Sequence, residues 1–173
     1  MLNNFQLHNI NTFVLDVDGV LTDGSLYLIN DSEMVRVMNA KDGYALQLAI
    51  KRGFRVIVIS GGISTLSELR LKKLGISDVY MGVHDKLGLL KSLSESLKIK
   101  ASEMIYLGDD MPDIEVMTYT GISACPADAC TDVLAISKYV SPFLGGKGFV
   151  RDVIEQVMKT QNKWLHTNEV VSK

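Results

Sequence analysis

Short, uninterrupted apolar runs alternate along this chain with segments of helical spacing, and that alternation leaves few folds open. Runs at 12–16, 55–60, 79–81, 104–108, 122–125 and 139–140 read as strands. Phe13-Val14-Leu15 and Val56-Ile57-Val58-Ile59 have no polar alternate positions, the mark of strands covered on both faces in a parallel sheet. The spacing predicts helices over 44–52, 64–74, 86–97, 111–119, 128–137 and 148–160. Leu87, Leu90, Leu93 and Leu97 illustrate the pattern, a stripe that turns one helical face to a core. Strands and helices in such order predict an α/β fold with a parallel sheet.

One segment breaks the order. Ser25-Leu26-Tyr27-Leu28-Ile29 and Met34-Val35-Arg36-Val37-Met38 are two β-type runs around the polar turn Asn30-Asp31-Ser32-Glu33. They read as a hairpin over 25–38, too short for a domain and placed as a flap before the first helix. Its open edges invite pairing with another subunit.

The bulk properties exclude several classes. A length of 173 residues fits one domain, and 47% hydrophobic with 22% charged residues is ordinary for a globule. A net charge of −2 without a basic stripe argues against nucleic acid, so an anionic ligand must be met by locally placed cations. No apolar run approaches a membrane span, and the first six residues lack the pattern of a secretory signal, so a cytoplasmic location is expected. Cys125 and Cys130 match neither a redox nor a zinc spacing and read as reduced structural thiols. His8, His84 and His166 accompany no nucleophile pattern.

Four polar clusters fall after successive strands: Asp16-Val17-Asp18-Gly19, Ser60-Gly61-Gly62, Lys86, and Gly108-Asp109-Asp110-Met111-Pro112-Asp113. Open α/β sheets gather such strand ends at one edge, where ligands bind. Each cluster alone is an ordinary turn, cap or surface lysine. Together they compose a phosphoryl-transfer site. A carboxylate attacking a phosphate monoester meets anion repulsion, which a hard divalent cation on oxygen ligands relieves. Asp16 and Asp109 are candidate ligands, and Asp110 and Asp113 are further acids around them. Lys86 supplies a fixed positive charge. Ser60 and nearby backbone N–H groups, Gly61 included, can donate to phosphoryl oxygens. Asp18 is placed to protonate the leaving oxygen and then to activate water.

The four clusters resemble the four motifs of the haloacid dehalogenase superfamily. The resemblance makes Asp16 the nucleophile, Asp18 the acid/base, Ser60 the second-motif hydroxyl, Lys86 the third-motif cation, and Asp109 with Asp113 the acidic fourth motif. It implies magnesium held by Asp16, the backbone carbonyl of Asp18 and Asp109. It also implies a three-layer Rossmann-like sheet with the hairpin as its insert. Superfamily members place larger caps after the first motif or between the second and third. Here the first insert is a hairpin, and the second has room for one helix and one strand, so no cap domain is expected.

Three local features narrow the resemblance: the hairpin after Asp18-Gly19-Val20-Leu21-Thr22-Asp23-Gly24, the segment Asn39-Ala40-Lys41-Asp42-Gly43-Tyr44, and the glycine-rich Gly145-Gly146-Lys147-Gly148-Phe149-Val150-Arg151. This combination resembles the 3-deoxy-D-manno-octulosonate 8-phosphate phosphatases of lipopolysaccharide precursor synthesis and their nonulosonate 9-phosphate relatives. The resemblance implies a sugar-acid phosphate as substrate and a homotetramer assembled through the hairpins. It also implies a glycine-rich tail reaching toward a neighbouring active site, with substrate contacts from Lys41, Lys147 and Arg151. The domain is expected over 1–163, with 164–173 a tail without recognisable motif, either disordered or a fused extension. A phospho-receiver switching module is the reading from another class. Its phospho-acceptor stands alone on a middle strand, whereas the acid pair here lies on the first strand. A phosphomutase would need a cap to keep water from the phosphoenzyme.

Overall fold

The computed structural model describes residues 7–30 and 33–170. Asp31 and Ser32, in the expected hairpin turn, and 171–173 of the expected tail lie outside the described residues. Six strands form one parallel sheet: β1 (Thr12–Leu15), β4 (Arg55–Ile59), β5 (Asp78–Tyr80), β6 (Met104–Leu107), β7 (Ile122–Cys125) and β8 (Tyr139–Val140). Their order is β5-β4-β1-β6-β7-β8. β1 is flanked in register by both neighbours, with Leu15 beside Val58 on one side and Leu107 on the other. The chain runs from β1 outward to β5, then crosses to β6 on the far side of β1. That reversal opens a crevice at the carboxyl ends of β1 and β6.

Alternation along the strands divides the core in two. Phe13, Leu15, Val56, Val58, Ile105 and Leu107 face one layer, with Leu46 and Leu48 of α1 (Ala40–Lys51) and Phe149, Val153 and Val157 of α6 (Phe149–Thr160). Val14, Ile57, Ile59, Met104 and Tyr106 face the other. There they meet Leu90 of α3 (Lys86–Leu97), Val116 and Met117 of α4 (Ile114–Tyr119) and Val133 of α5 (Thr131–Ile136). Each such side chain, fully buried, contributes roughly 1.5–3 kcal/mol. The result is a three-layer Rossmann-like α/β fold.

Capping sets the helix starts. The Asn39 side chain accepts from the Lys41 N–H at 2.8 Å, so α1 begins four residues before the predicted Tyr44. Ser64 caps α2 (Thr65–Lys73) through the Ser67 N–H at 3.2 Å. The predicted helix over 111–119 divides into a tight turn, Met111–Asp113, and α4, because Pro112 in the first turn removes a donor.

The hairpin consists of β2 (Tyr27–Asn30) and β3 (Glu33–Val35), an antiparallel pair separate from the main sheet. Tyr27, Leu28 and Ile29 are exposed, Leu28 by 74%. Residues 164–170 are docked rather than loose. Trp164 stands edge-on to Tyr44, the Tyr44 hydroxyl pairs with His166 Nδ1 at 2.8 Å, and Val170 packs against the core.

Candidate active site

β1 delivers Asp16 into the crevice, and the next turn is held by Val17, whose carbonyl accepts from the Leu21 and Thr22 N–H groups at 2.9 and 3.1 Å. Gly19 has a φ of +79° and lies against Asp109 so closely that a Cβ there would overlap the carboxylate. Only glycine meets both demands. Asp109 follows β6, the neighbour of β1, and its carbonyl accepts from the Cys130 N–H at 2.9 Å.

Lys86 binds the acids into one cluster. Its ammonium lies 3.0 Å from Asp16 Oδ2 and 2.8 Å from Asp113 Oδ1. Asp113 is wholly buried, and both its oxygens are engaged. Oδ1 also accepts from the Tyr106 hydroxyl at 2.7 Å, and Oδ2 accepts from the Asp109 N–H at 3.0 Å. Asp16 Oδ1 accepts from the Val17 N–H at 2.7 Å. Carboxylate oxygens of Asp16, Asp109 and Asp113 come within 4.8 Å of one another.

The electrostatics follow from this crowding. Burial, then the charge of Asp113, pushes Asp16 up to about 6, against the pull of Lys86 and the Val17 N–H. Burial, followed by Asp113 and Asp16, pushes Asp109 up to about 8. Burial works against the Lys86 charge, yet Asp16 and Asp113 outweigh it and hold the ammonium above its ordinary value. Burial, then Asp113, drives the Tyr106 hydroxyl well above the usual phenol range, so it remains a donor.

The cluster fits a divalent cation. Its donors are all carboxylate oxygens, and buried Asp109 Oδ1 has no hydrogen-bond partner among the described residues. A hard cation would offset the crowded negative charge. Asp113 Oδ1 already has two donors and Oδ2 one, whereas each Asp16 oxygen has one and Asp109 Oδ1 none among the described residues, which favours Asp16 and Asp109 as ligands. Asp110 stays outside the cluster: it is exposed and caps the following turn through the Met111 N–H at 2.8 Å.

Ser60, at the end of β4, is buried, and its hydroxyl accepts from the Gly62 N–H at 3.2 Å. Gly61 lies beside it in the loop and is exposed. Asp18 is held by a residue that sequence reasoning missed. Arg36 Nε donates to Asp18 Oδ1 at 2.7 Å, and Nη2 donates to Oδ2 at 3.0 Å.

The three expected tail and loop cations gather elsewhere. Lys41, Lys147 and Arg151 line a cavity of about 390 Å³ with Phe143, Gly148, Asp152 and Glu155, and none of the clustered acids borders it. Lys147 pairs with Asp23 at 3.0 Å. Arg151 lies over the Tyr44 and Trp164 rings and pairs with Glu155 at 3.2 Å. Its guanidinium thus packs on two rings while it lines the same cavity as Lys41 and Lys147. Gly145 and Gly146 pack on the chain's own turn: a Cβ on Gly145 would overlap the Gly19 carbonyl, and Gly146 rests on Thr22 and Asp23.

Asp16 and Asp109 after the adjacent parallel strands β1 and β6, a buried lysine at the start of α3 that binds the acids together, and a second acid two residues after Asp16 define a phosphoryl-transfer hydrolase. Comparison with known proteins agrees. A model of the haloacid dehalogenase-like hydrolases matches residues 63–148. The 3-deoxy-D-manno-octulosonate 8-phosphate phosphatase of Escherichia coli K12 is 37% identical over 155 residues, 90% of this chain and 82% of that protein. The crystal structure of the Yersinia pestis phosphatase of the same name aligns with a TM-score of 0.89 at 35% identity, over 92% of this chain and 86% of that one. That of Moraxella catarrhalis, in complex with magnesium, phosphate and KDO, aligns with a TM-score of 0.89 at 33% identity, over 93% of this chain and 92% of that one. The chain belongs to the 3-deoxy-D-manno-octulosonate 8-phosphate phosphatase family of haloacid dehalogenase-like hydrolases.

Proposed function

We propose that this protein is a magnesium-dependent phosphatase of 3-deoxy-D-manno-octulosonate 8-phosphate, working through an aspartyl-phosphate. The observation that carries the reading is Lys86 bridging Asp16 and Asp113 while Asp16 and Asp109 present oxygens to one point. The name and bound ligands of the Moraxella relative support the substrate and the metal.

Asp16 attacks phosphorus, and the bond to the sugar oxygen breaks. Asp18 gives that oxygen its proton. The resulting carboxylate then takes a proton from water, which attacks the phosphoryl group and frees Asp16 and inorganic phosphate. Lys86 holds Asp16 in place and balances negative charge on the phosphoryl oxygens. The Ser60 hydroxyl and the Gly61 N–H are assigned to those oxygens. Bound at Asp16 and Asp109, with the Asp18 carbonyl as the implied third ligand, magnesium would neutralise the meeting anions. Asp113 positions Lys86, and Asp110 shapes the turn that presents Asp109.

We assign residues 1–163 to one phosphatase domain, with 25–38 as its flap. The exposed apolar face of β2 supports a homotetramer built on the hairpins. Assembly would narrow a site that has no cap, and we assign the substrate-side contacts to Lys41, Lys147 and Arg151, which line one cavity. A screen of sugar phosphates with magnesium tests the reading, comparing eight-carbon and nine-carbon keto acids. Preference for the eight-carbon acid is expected. A flat profile would remove the substrate assignment, and preference for the nine-carbon acid would move it to the nonulosonates.

A further inference from the structure

Arg36 lies just beyond β3, in the strap that joins the hairpin to α1. Its side chain is only 5% exposed, and its fork engages both oxygens of Asp18. The third guanidinium nitrogen, Nη1, is buried without a hydrogen-bond partner among the described residues. The fork also lies against the loop after β4. A Cβ on Gly62 would stand 3.0 Å from Arg36 Nη2, 3.2 Å from Asp18 Oδ2 and 3.6 Å from Ser60 Oγ. Arg36, Asp18 and Ser60 therefore line one wall of the crevice, and glycine at 62 leaves the guanidinium its seat.

We propose that Arg36 is the positioning residue of the proton carrier Asp18, a reading that rests on the phosphatase mechanism above. Asp18 has a side chain that is 33% exposed, and its other hydrogen-bond contact among the described residues is the Thr22 hydroxyl, which donates to Oδ1 at 3.5 Å. Without Arg36 that carboxylate would be free to rotate away from the reacting oxygen. Two parallel bonds from a planar guanidinium fix its torsions. Oδ2 accepts from Nη2 and keeps a second lone pair, so the fork leaves room for a proton in transit. Lysine could supply the charge but not the fork. The hairpin thus has a second duty: the strap leaving it orients the acid/base of its own chain.

Leaving-group dependence tests this. With a phosphoenzyme mechanism, kcat/KM reports the transfer to Asp16, the step in which the leaving oxygen needs its proton. An alkoxide needs that proton most, phenolate less, and 4-nitrophenolate least. We expect Arg36→Gln to lower kcat/KM by less than about 5-fold with 4-nitrophenyl phosphate and by about 100-fold with glycerol 3-phosphate, the range of lost acid catalysis, with phenyl phosphate between. Arg36→Lys should recover part of the loss. Gly62→Ala keeps Arg36 but crowds the fork, and should give the same trend more weakly even if Arg36→Gln folds poorly. A uniform loss across the three esters, or none, overturns the proposal. Full activity of Asp16→Asn would instead overturn the phosphatase mechanism, whatever Arg36 does.

Discussion

The acid crevice and the hairpin stand at opposite extremes of completeness. In the crevice Asp113 is fully buried and each of its oxygens has a donor, while Lys86 bridges two carboxylates. On the hairpin Leu28 is 74% and Ile29 61% exposed, and among the described residues the two strands pair only with each other. One region is finished within a single chain. The other presents an apolar surface that one chain leaves open. Chemistry is thus housed in the sheet, and on the proposed assembly the hairpins would take part in selecting the substrate.

The comparison can be broken first at the nucleophile. Asp16→Asn should lower phosphate release by at least about 10⁴-fold, as loss of a nucleophile does. Thermal melting should show the fold intact, because asparagine keeps the shape of the side chain and Lys86 retains Asp113 as its partner. Asp113→Ala should reduce both activity and stability. It leaves Lys86 buried with Asp16 as its remaining partner, and breaking a buried pair costs about 3–5 kcal/mol. Chemical denaturation measures that loss. A stable, active Asp113→Ala protein would show that the crevice is less interdependent than its geometry.

Leu28→Glu addresses the other side. It should lower the particle mass in light scattering and reduce turnover of the sugar phosphate by about 10-fold through loss of closure. Melting of the individual chain should change little, since Leu28 buries little within it. The smallest effect concerns pH. Asp16 and Asp109 are pushed up to about 6 and about 8 from an ordinary 3.8. In metal-free protein they retain protons that the unfolded chain has released. Their contribution to stability is therefore greatest near pH 4 and declines as pH rises to about 8. Melting temperatures in chelator should fall along that range, and magnesium should raise them most at the alkaline end.

The sheet was legible because its strands are covered on both faces, so Phe13-Val14-Leu15 and Met104-Ile105-Tyr106-Leu107 carry an unbroken apolar signal. Helix starts were less so. The first turn of α1 contains Lys41, Asp42 and Gly43, which hide the periodicity, and the Asn39 cap overrides them. Asp16, Lys86, Asp109 and Asp113 could be read together because each follows a strand, and the fold gathers strand ends. Arg36 gave no such signal. It sits in a β-type run between Val35 and Val37, where a charged residue reads as a solvent-facing side chain. Its destination depends on how the strap crosses Asp18, which is a tertiary property. Arg151 is a second case. The resemblance alone pointed it to a ligand, and its stacking on Tyr44 and Trp164 is a tertiary contact that no local pattern announces.

The packing of Gly145 and Gly146 on the Gly19–Asp23 turn has a consequence for folding order. Lys147 and Asp23 meet across 124 residues of chain, one of the longest separations in the molecule. Contacts of that range pay the largest loop-closure entropy and form late. During synthesis β1 emerges early and its turn meets Arg36 and then Asp109, but the glycine-rich segment that covers Thr22 and Asp23 arrives only later. The nucleophile is therefore made well before its turn is fully covered, and a growing chain would carry Asp16 long before Lys86 and Asp109 could serve it.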